Sequence, residues 1–135
     1  MSGIYRTFKE YVADNTIDLD THTFKVALMD NTHTFTSTNS LWANVSGNEI
    51  SGTGYTAGGK TLASVTWAST GGDTIQWDAA DSSWTSATFT AYHAVIYGST
   101  SNALVCSFNF GGAQTVSNGT FTIQWNANGI LRCSG

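Results

Sequence analysis

Hydrophobic and polar positions alternate with a period of two along most of this chain. Phe24, Val26 and Leu28 alternate with Lys25 and Ala27, which predicts a strand that stops at Asp30-Asn31. Leu62 to Ala68 reads as a second strand, and Thr74 to Asp78 as a third, entered from the Gly71-Gly72 turn. Ala87 to Tyr97 is apolar on both faces: Phe89, Ala91, Val95 and Tyr97 point one way, Tyr92, Ala94 and Ile96 the other. Such a strand belongs in the middle of a sheet or under a second layer. Leu104, Cys106, Phe108 and Phe110 alternate cleanly, as do Phe121, Ile123 and Trp125. Asn126-Ala127-Asn128-Gly129 then turns the chain into a last strand from Ile130 to Cys133, Asn-Gly supplying the positive φ that tight hairpins need. Phe108, Ile123 and Trp125 are expected in the core.

The period changes at the N-terminus. Ile4, Tyr5, Phe8, Tyr11 and Val12 recur at three- and four-residue steps, with Arg6, Lys9 and Glu10 opposite them. This predicts one helix over about residues 3–13, plugging an end of the β core or docking on a neighbouring subunit. Leu41 to Val45 has the pattern of a single helical turn, and the glycines from Gly47 to Gly59 mark an irregular loop. About seven short strands separated by Gly, Asn and Ser turns predict one mainly β domain over residues 1–135. The expected architecture is an antiparallel β-sandwich, jelly-roll or immunoglobulin-like, with one short N-terminal helix.

Composition narrows the function. Of 135 residues, 10% are charged, against about 25% in ordinary globular domains. A surface of Ser, Thr, Asn and Gly suits a protein packed against other protein. The net charge is −4, and the basic residues Arg6, Lys9, Lys25, Lys60 and Arg132 are scattered, so neither nucleic acid nor an anionic membrane is an expected partner. No apolar run approaches the length of a membrane span. The N-terminus lacks the apolar core of a secretion signal, which sets the expectation of synthesis in a cytoplasm without export by that route. Cys106 and Cys133 are too few for a disulfide scaffold and read as small apolar strand residues, a disulfide between or within chains being the alternative.

One stretch matches a chemical motif. Gly54-Tyr55-Thr56-Ala57-Gly58-Gly59-Lys60-Thr61 spells the phosphate-loop pattern, a glycine-rich loop closed by Lys-Thr. That chemistry needs a buried strand entering the loop and a helix leaving it, so that backbone amides at the helix start cradle phosphates. Here the entering segment is polar and the leaving segment has the period of a strand, so no nucleotide is expected. His22, His33 and His93 lack neighbours at metal spacing. His93, flanked by apolar residues, reads as a hydrogen-bonded core or interface residue, with a pH-sensing role as the sharper option. Asp14, Asp18 and Asp20 form one acidic cluster and Asp78 with Asp81 another. Paired carboxylates can serve glycosidases or bind calcium, but Asp78 and Asp81 sit where side chains cap turns. The expectation is no catalytic residue, no metal and no cofactor. Of the five tryptophans, Trp67, Trp77 and Trp125 run in phase with core positions, while Trp42 and Trp84 could offer a sugar-stacking surface.

Gly3-Ile4-Tyr5-Arg6-Thr7-Phe8-Lys9, Phe24-Lys25-Val26-Ala27-Leu28, Gly52-Thr53-Gly54-Tyr55-Thr56-Ala57-Gly58-Gly59, Trp77-Asp78-Ala79-Ala80-Asp81, Phe108-Asn109-Phe110-Gly111 and Phe121-Thr122-Ile123-Gln124-Trp125 carry a resemblance that covers nearly the whole chain. The sequence resembles small virion proteins of tailed bacteriophages, commonly taken as capsid decoration (cement) proteins. The resemblance implies a homotrimer on the outer capsid surface that bridges major capsid subunits. It also implies that Lys60-Thr61 completes the phosphate-loop pattern by chance. A tail or fibre module that binds a carbohydrate or receptor is the alternative.

Overall fold

The computed structural model describes residues 3–14, 17, 22–71, 74–125 and 130–134. Two antiparallel sheets and one short helix account for most of them. The elements are β1 (Gly3–Ile4), α1 (Arg6–Ala13), β2 (Phe24–Met29), β3 (Lys60–Thr61), β4 (Thr66–Gly71), β5 (Thr74–Asp78), β6 (Ser82–Gly98), β7 (Leu104–Ile123) and β8 (Leu131–Ser134). The large sheet has the order β1-β7-β6-β2-β3 and the small sheet β4-β5-β8.

The mainly β character, the antiparallel pairing and the single short helix are as the alternation predicts. Several boundaries differ. The helix begins at Arg6, because Gly3 and Ile4 pair with Ser107 and Cys106 of β7 instead of joining it. Tyr5, the residue before the helix, is extended and provides no side-chain cap. Phe8 is buried as expected, but Ile4 and Val12 of the apolar face are exposed. Of the strand expected from Leu62 to Ala68 only Thr66–Ala68 forms, as the start of β4; residues 62–65 link β3 to it outside either sheet. Ser64, at φ +53°, turns the chain from the large sheet to the small one. The turn expected at residues 126–129 lies outside the described residues.

The largest difference lies in β7. Its two alternating segments are one strand, paired with β6 from Tyr97↔Leu104 to Ser82↔Ile123. The intervening glycines and asparagine are bulges within that long hairpin. Gly111 and Asn118 have φ of +83° and +50°, and the register shifts near both. Extra residues on one strand bend the ladder and increase its twist. The same effect reverses a predicted phase in β6. A register shift falls between Ala91 and His93. Phe89 and Ala91 therefore join Ala94 and Ile96 in one hydrophobic cluster, while Val95 and Tyr97 face another. Burial of this strand on both faces holds; the sides exchange at the bulge, as a one-residue slip demands.

The first cluster joins residues of both sheets and contains Phe24, Leu28, Trp77, Trp84 and Phe89. Trp77 is fully buried, edge-on to Phe24 with ring centroids 5.1 Å apart. The second cluster, on the opposite face of the large sheet, is built from Tyr5, Met29, Val95 and Leu104, with Phe35 and Trp42 of the segment after β2 packed against it. That segment holds the expected turn as a 3₁₀ helix, Trp42–Asn44. Its Asn44 Oδ1 accepts the Leu41 N–H at 3.0 Å.

Candidate functional site

The glycine-rich loop is held from beneath. Glu49 Oε2 accepts the Tyr55 hydroxyl and, at 2.8 Å, the Gly58 N–H. Tyr55 Oη accepts the Leu28 N–H at 3.0 Å, and the Tyr97 hydroxyl donates to Gly58 O. Burial and the neighbouring Glu49 carboxylate push the Tyr55 hydroxyl far up, so it stays a donor. Gly59, at φ +88°, lies so close to β2 that a Cβ would meet Val26 O at 2.2 Å. A carboxylate thus occupies an amide that a phosphate loop would turn toward its ligand. The loop leads into β3 and not into a helix. Lys60 Nζ donates to Ser83 O and lies 5.9 Å from the Trp84 ring centroid. The glycines seat the loop against the sheet.

The other candidates fall into structural positions. Asp78 Oδ1 accepts the N–H of Ala79, and Asp81 Oδ1 accepts that of Trp125, pinning the end of the long hairpin to its start. Asp14 closes α1 as its C-cap. Asp18 and Asp20 lie outside the described residues. Cys106 is a free, buried thiol whose pKa burial pushes up, and the Cys133 side chain lies outside the described residues. Among the described residues, no group of three or more His, Cys, Asp or Glu is placed to hold a metal ion. No helix among them is long and apolar enough to cross a membrane.

Two histidines that nothing in the sequence links are brought together. His33 and His93 are buried, their rings edge-to-face with centroids 5.0 Å apart. His33 Nε2 shares a 3.1 Å hydrogen bond with the Ser107 hydroxyl, while Nδ1 of both rings lacks a partner. Burial lowers both pKa values, that of His33 to about 4, with the charge a protonated His93 would bring acting in the same direction. Both rings are therefore neutral near pH 7.

Aromatic residues expected in the core pack against its edge and are only partly covered. Phe108, Ile123 and Trp125 are only partly buried. With Phe110 and Ile130 they line a cleft of about 260 Å³, bordered by Ala94. A second cleft, toward Ile4 and Leu131, shares Phe108 and Ile130 with it, and a third shares Phe110 and Ile123. The phase assigned to β7 holds from Cys106 onward, where Phe108 sits opposite Ala94 and contacts Trp125 at a centroid distance of 5.7 Å. Leu104, expected on the same face, joins the second cluster because the register shifts between Ile96 and Tyr97. These side chains pack against the edge of the first cluster, beside Ile130 and Leu131, and are only partly covered there. Among the described residues, no charged side chain lines any of the three clefts. One sequence signal could have located this surface: residues 82–131 contain no Asp, Glu, Lys or Arg.

No protein-family profile, curated protein or solved structure matches the chain.

The tryptophans suggested for sugar stacking are engaged. Trp84 is buried against Phe89 and Phe121, and Trp42 stacks on Tyr97 at 4.3 Å and 8° between planes. Trp77 and Trp125 separate core from groove energetically. Trp77→Ala is expected to cost about 3–5 kcal/mol, as for a fully buried aromatic. Trp125→Ala is expected to cost no more than about 2 kcal/mol, because water already reaches the ring. Denaturant midpoints of the two variants check this ranking, and equal losses would mean that the groove is closed.

Proposed function

We propose that the chain is a structural protein of a tailed-bacteriophage particle. In this reading it is a decoration (cement) protein that sits on the outer head surface and bridges neighbouring major capsid subunits. The observation that carries the reading is the face of β7, where partly buried aromatics line clefts among uncharged polar side chains. Contiguous exposed apolar surface marks interaction sites, and the centres of protein interfaces are rich in aromatics and poor in charge. The whole-chain resemblance to phage decoration proteins supplies the setting. The paired sheets are read as an open β-sandwich of the jelly-roll or immunoglobulin-like kind, with the loops and the hairpin free to contact a shell.

The mechanism is thermodynamic and requires no catalytic residue or cofactor. A protein that binds the assembled lattice and not its free subunits stabilises the lattice by mass action. Repetition over a symmetric shell adds multivalency. Even about 1 kcal/mol per bridge opposes the pressure of packaged DNA when it recurs across the head, although neighbouring contacts are not simply additive. The alternative, a carbohydrate- or receptor-binding tail module, draws less support now that Trp42 and Trp84 are packed against other rings.

Deleting the gene from the phage that encodes it separates the two readings. The expected result is faster loss of infectivity on heating, or on chelation of the ions that screen DNA, with normal adsorption to cells. Poor adsorption with unchanged heat resistance would overturn the decoration reading in favour of the tail module.

A further inference from the structure

We propose that the outer edge of β7 pairs with the same edge of a second copy of this chain, antiparallel about a two-fold axis, joining the two large sheets into one. On one side β7 is paired with β6 along its length. On the other, β1 covers only Cys106 and Ser107. Among the described residues no strand lies on that side of Gln114–Ile123. The outward N–H and C=O groups of such an edge are a template for another extended backbone.

Proteins that keep edges apart place charges or prolines on them. This chain has no proline, and β7 lies wholly within the uncharged run of residues 82–131. The bulges near Gly111 and Asn118 twist the edge and interrupt pairing. Beyond them Gly119–Ile123 carries no inserted residue of its own, the register shift opposite Gly119–Phe121 being taken up by β6 between Trp84 and Ala87, and exposed Thr120 and Thr122 alternate with half-buried Phe121 and Ile123. The contact is thus a short ladder flanked by the apolar groove, where rings of the two copies would shield one another from water.

Charge and length select the occupant. Contact about a two-fold axis sets residues near the axis against themselves, so any charge there would face its own copy. A chain of net charge −4 meets itself without that repulsion through an uncharged strip, and β7 provides one. The other open edges match it less well. β3 is two residues long and includes Lys60, β8 is four residues long and includes Arg132, and β4, uncharged but only six residues long, has its register broken between Ser69 and Gly71. The inference does not depend on where in a particle the chain resides. It gives a dimer, in contrast to the trimer that the decoration-protein resemblance implies.

Sedimentation equilibrium of the purified full chain at micromolar concentration tests it. The expected species has twice the 14.3 kDa chain mass. Thr120→Lys and, separately, Gln114→Lys should each weaken association at least about tenfold with unchanged circular dichroism. Thr38→Lys, at an exposed position in the segment that borders only the start of β7 through Ser40 and Leu104, should leave the dimer intact. If Thr120→Lys fails to fold, Gln114→Lys gives the same reading at a second edge position. A monomer at all concentrations, a species of three chain masses, or a dimer indifferent to both edge lysines overturns the proposal.

Discussion

Replacing Gly59 by alanine is expected to destabilise the chain by upwards of about 4 kcal/mol, enough to leave it largely unfolded. Two causes act together. At φ +88° an L side chain is strained wherever it sits, at a cost of roughly 1–3 kcal/mol. The new Cβ would also lie 2.2 Å from Val26 O and 2.8 Å from Ala27 Cα. These are backbone atoms of β2, which is held between β6 and β3 and cannot move aside without breaking a ladder. Lifting the loop instead would break the contacts of Glu49 with Tyr55 and Gly58. Gly47→Ala is the control, because a Cβ there meets nothing within 4 Å. It should be neutral or slightly stabilising through the unfolded chain. Urea unfolding of both variants checks the pair. A Gly59→Ala midpoint near that of the parent would mean that the loop is not seated on β2.

Acidification is expected to produce the second large loss of stability. The folded pKa of His33 is lowered from 6.5 to about 4, and that of His93 is also lowered. Between these values the unfolded chain binds a proton that the folded chain refuses. Stability is therefore complete above about pH 6.5 and falls as the pH drops. For His33 alone the loss reaches about 3 kcal/mol near pH 4. The charges around the pair decide how far this is offset. Asp30 favours the protonated form of both rings, while a protonated His93 opposes protonation of His33. Urea midpoints measured from pH 7.5 to 4.5 should decline steeply in the parent and less steeply in His33→Gln. An identical decline in both would place the acid sensitivity elsewhere.

Much of the fold was legible because local signals agreed with tertiary ones. The strand expected at residues 24–28 ends one residue later, at Met29, because alternation stops where Asp30 begins a turn, its carboxylate accepting the Thr32 N–H. Burial of β6 on both faces followed from Val95, Ile96 and Tyr97 in succession. The misreadings arose where long-range pairing overrode local pattern. Gly3 and Ile4 extend the helical period but are taken by β7. Gly111, Gly112 and Asn118 read as turn residues and serve as bulges, because β6 offers a continuous partner beside them. No alternation count reports a bulge, so the exchange of faces after Ala91 was invisible as well.

The candidate surface was partly legible. Phe108, Ile123 and Trp125 were assigned to the right face, but a sequence does not tell whether a second layer covers that face. The gap in charge from residue 82 to 131 was the available clue. The glycine loop illustrates the converse. Its letters match a phosphate loop, while Glu49, the residue that occupies the Gly58 amide, stands outside the motif. Likewise His33 and His93 are 60 positions apart and meet only because β6 and the segment after β2 are packed together.

A cryo-electron map of the phage particle encoding this chain tests the central claim most directly. The account predicts density for the two-sheet domain on the outside of the head, spanning junctions between major capsid subunits, with the β7 face covered by protein. Density confined to the tail or its fibres, or none in the particle, would contradict it.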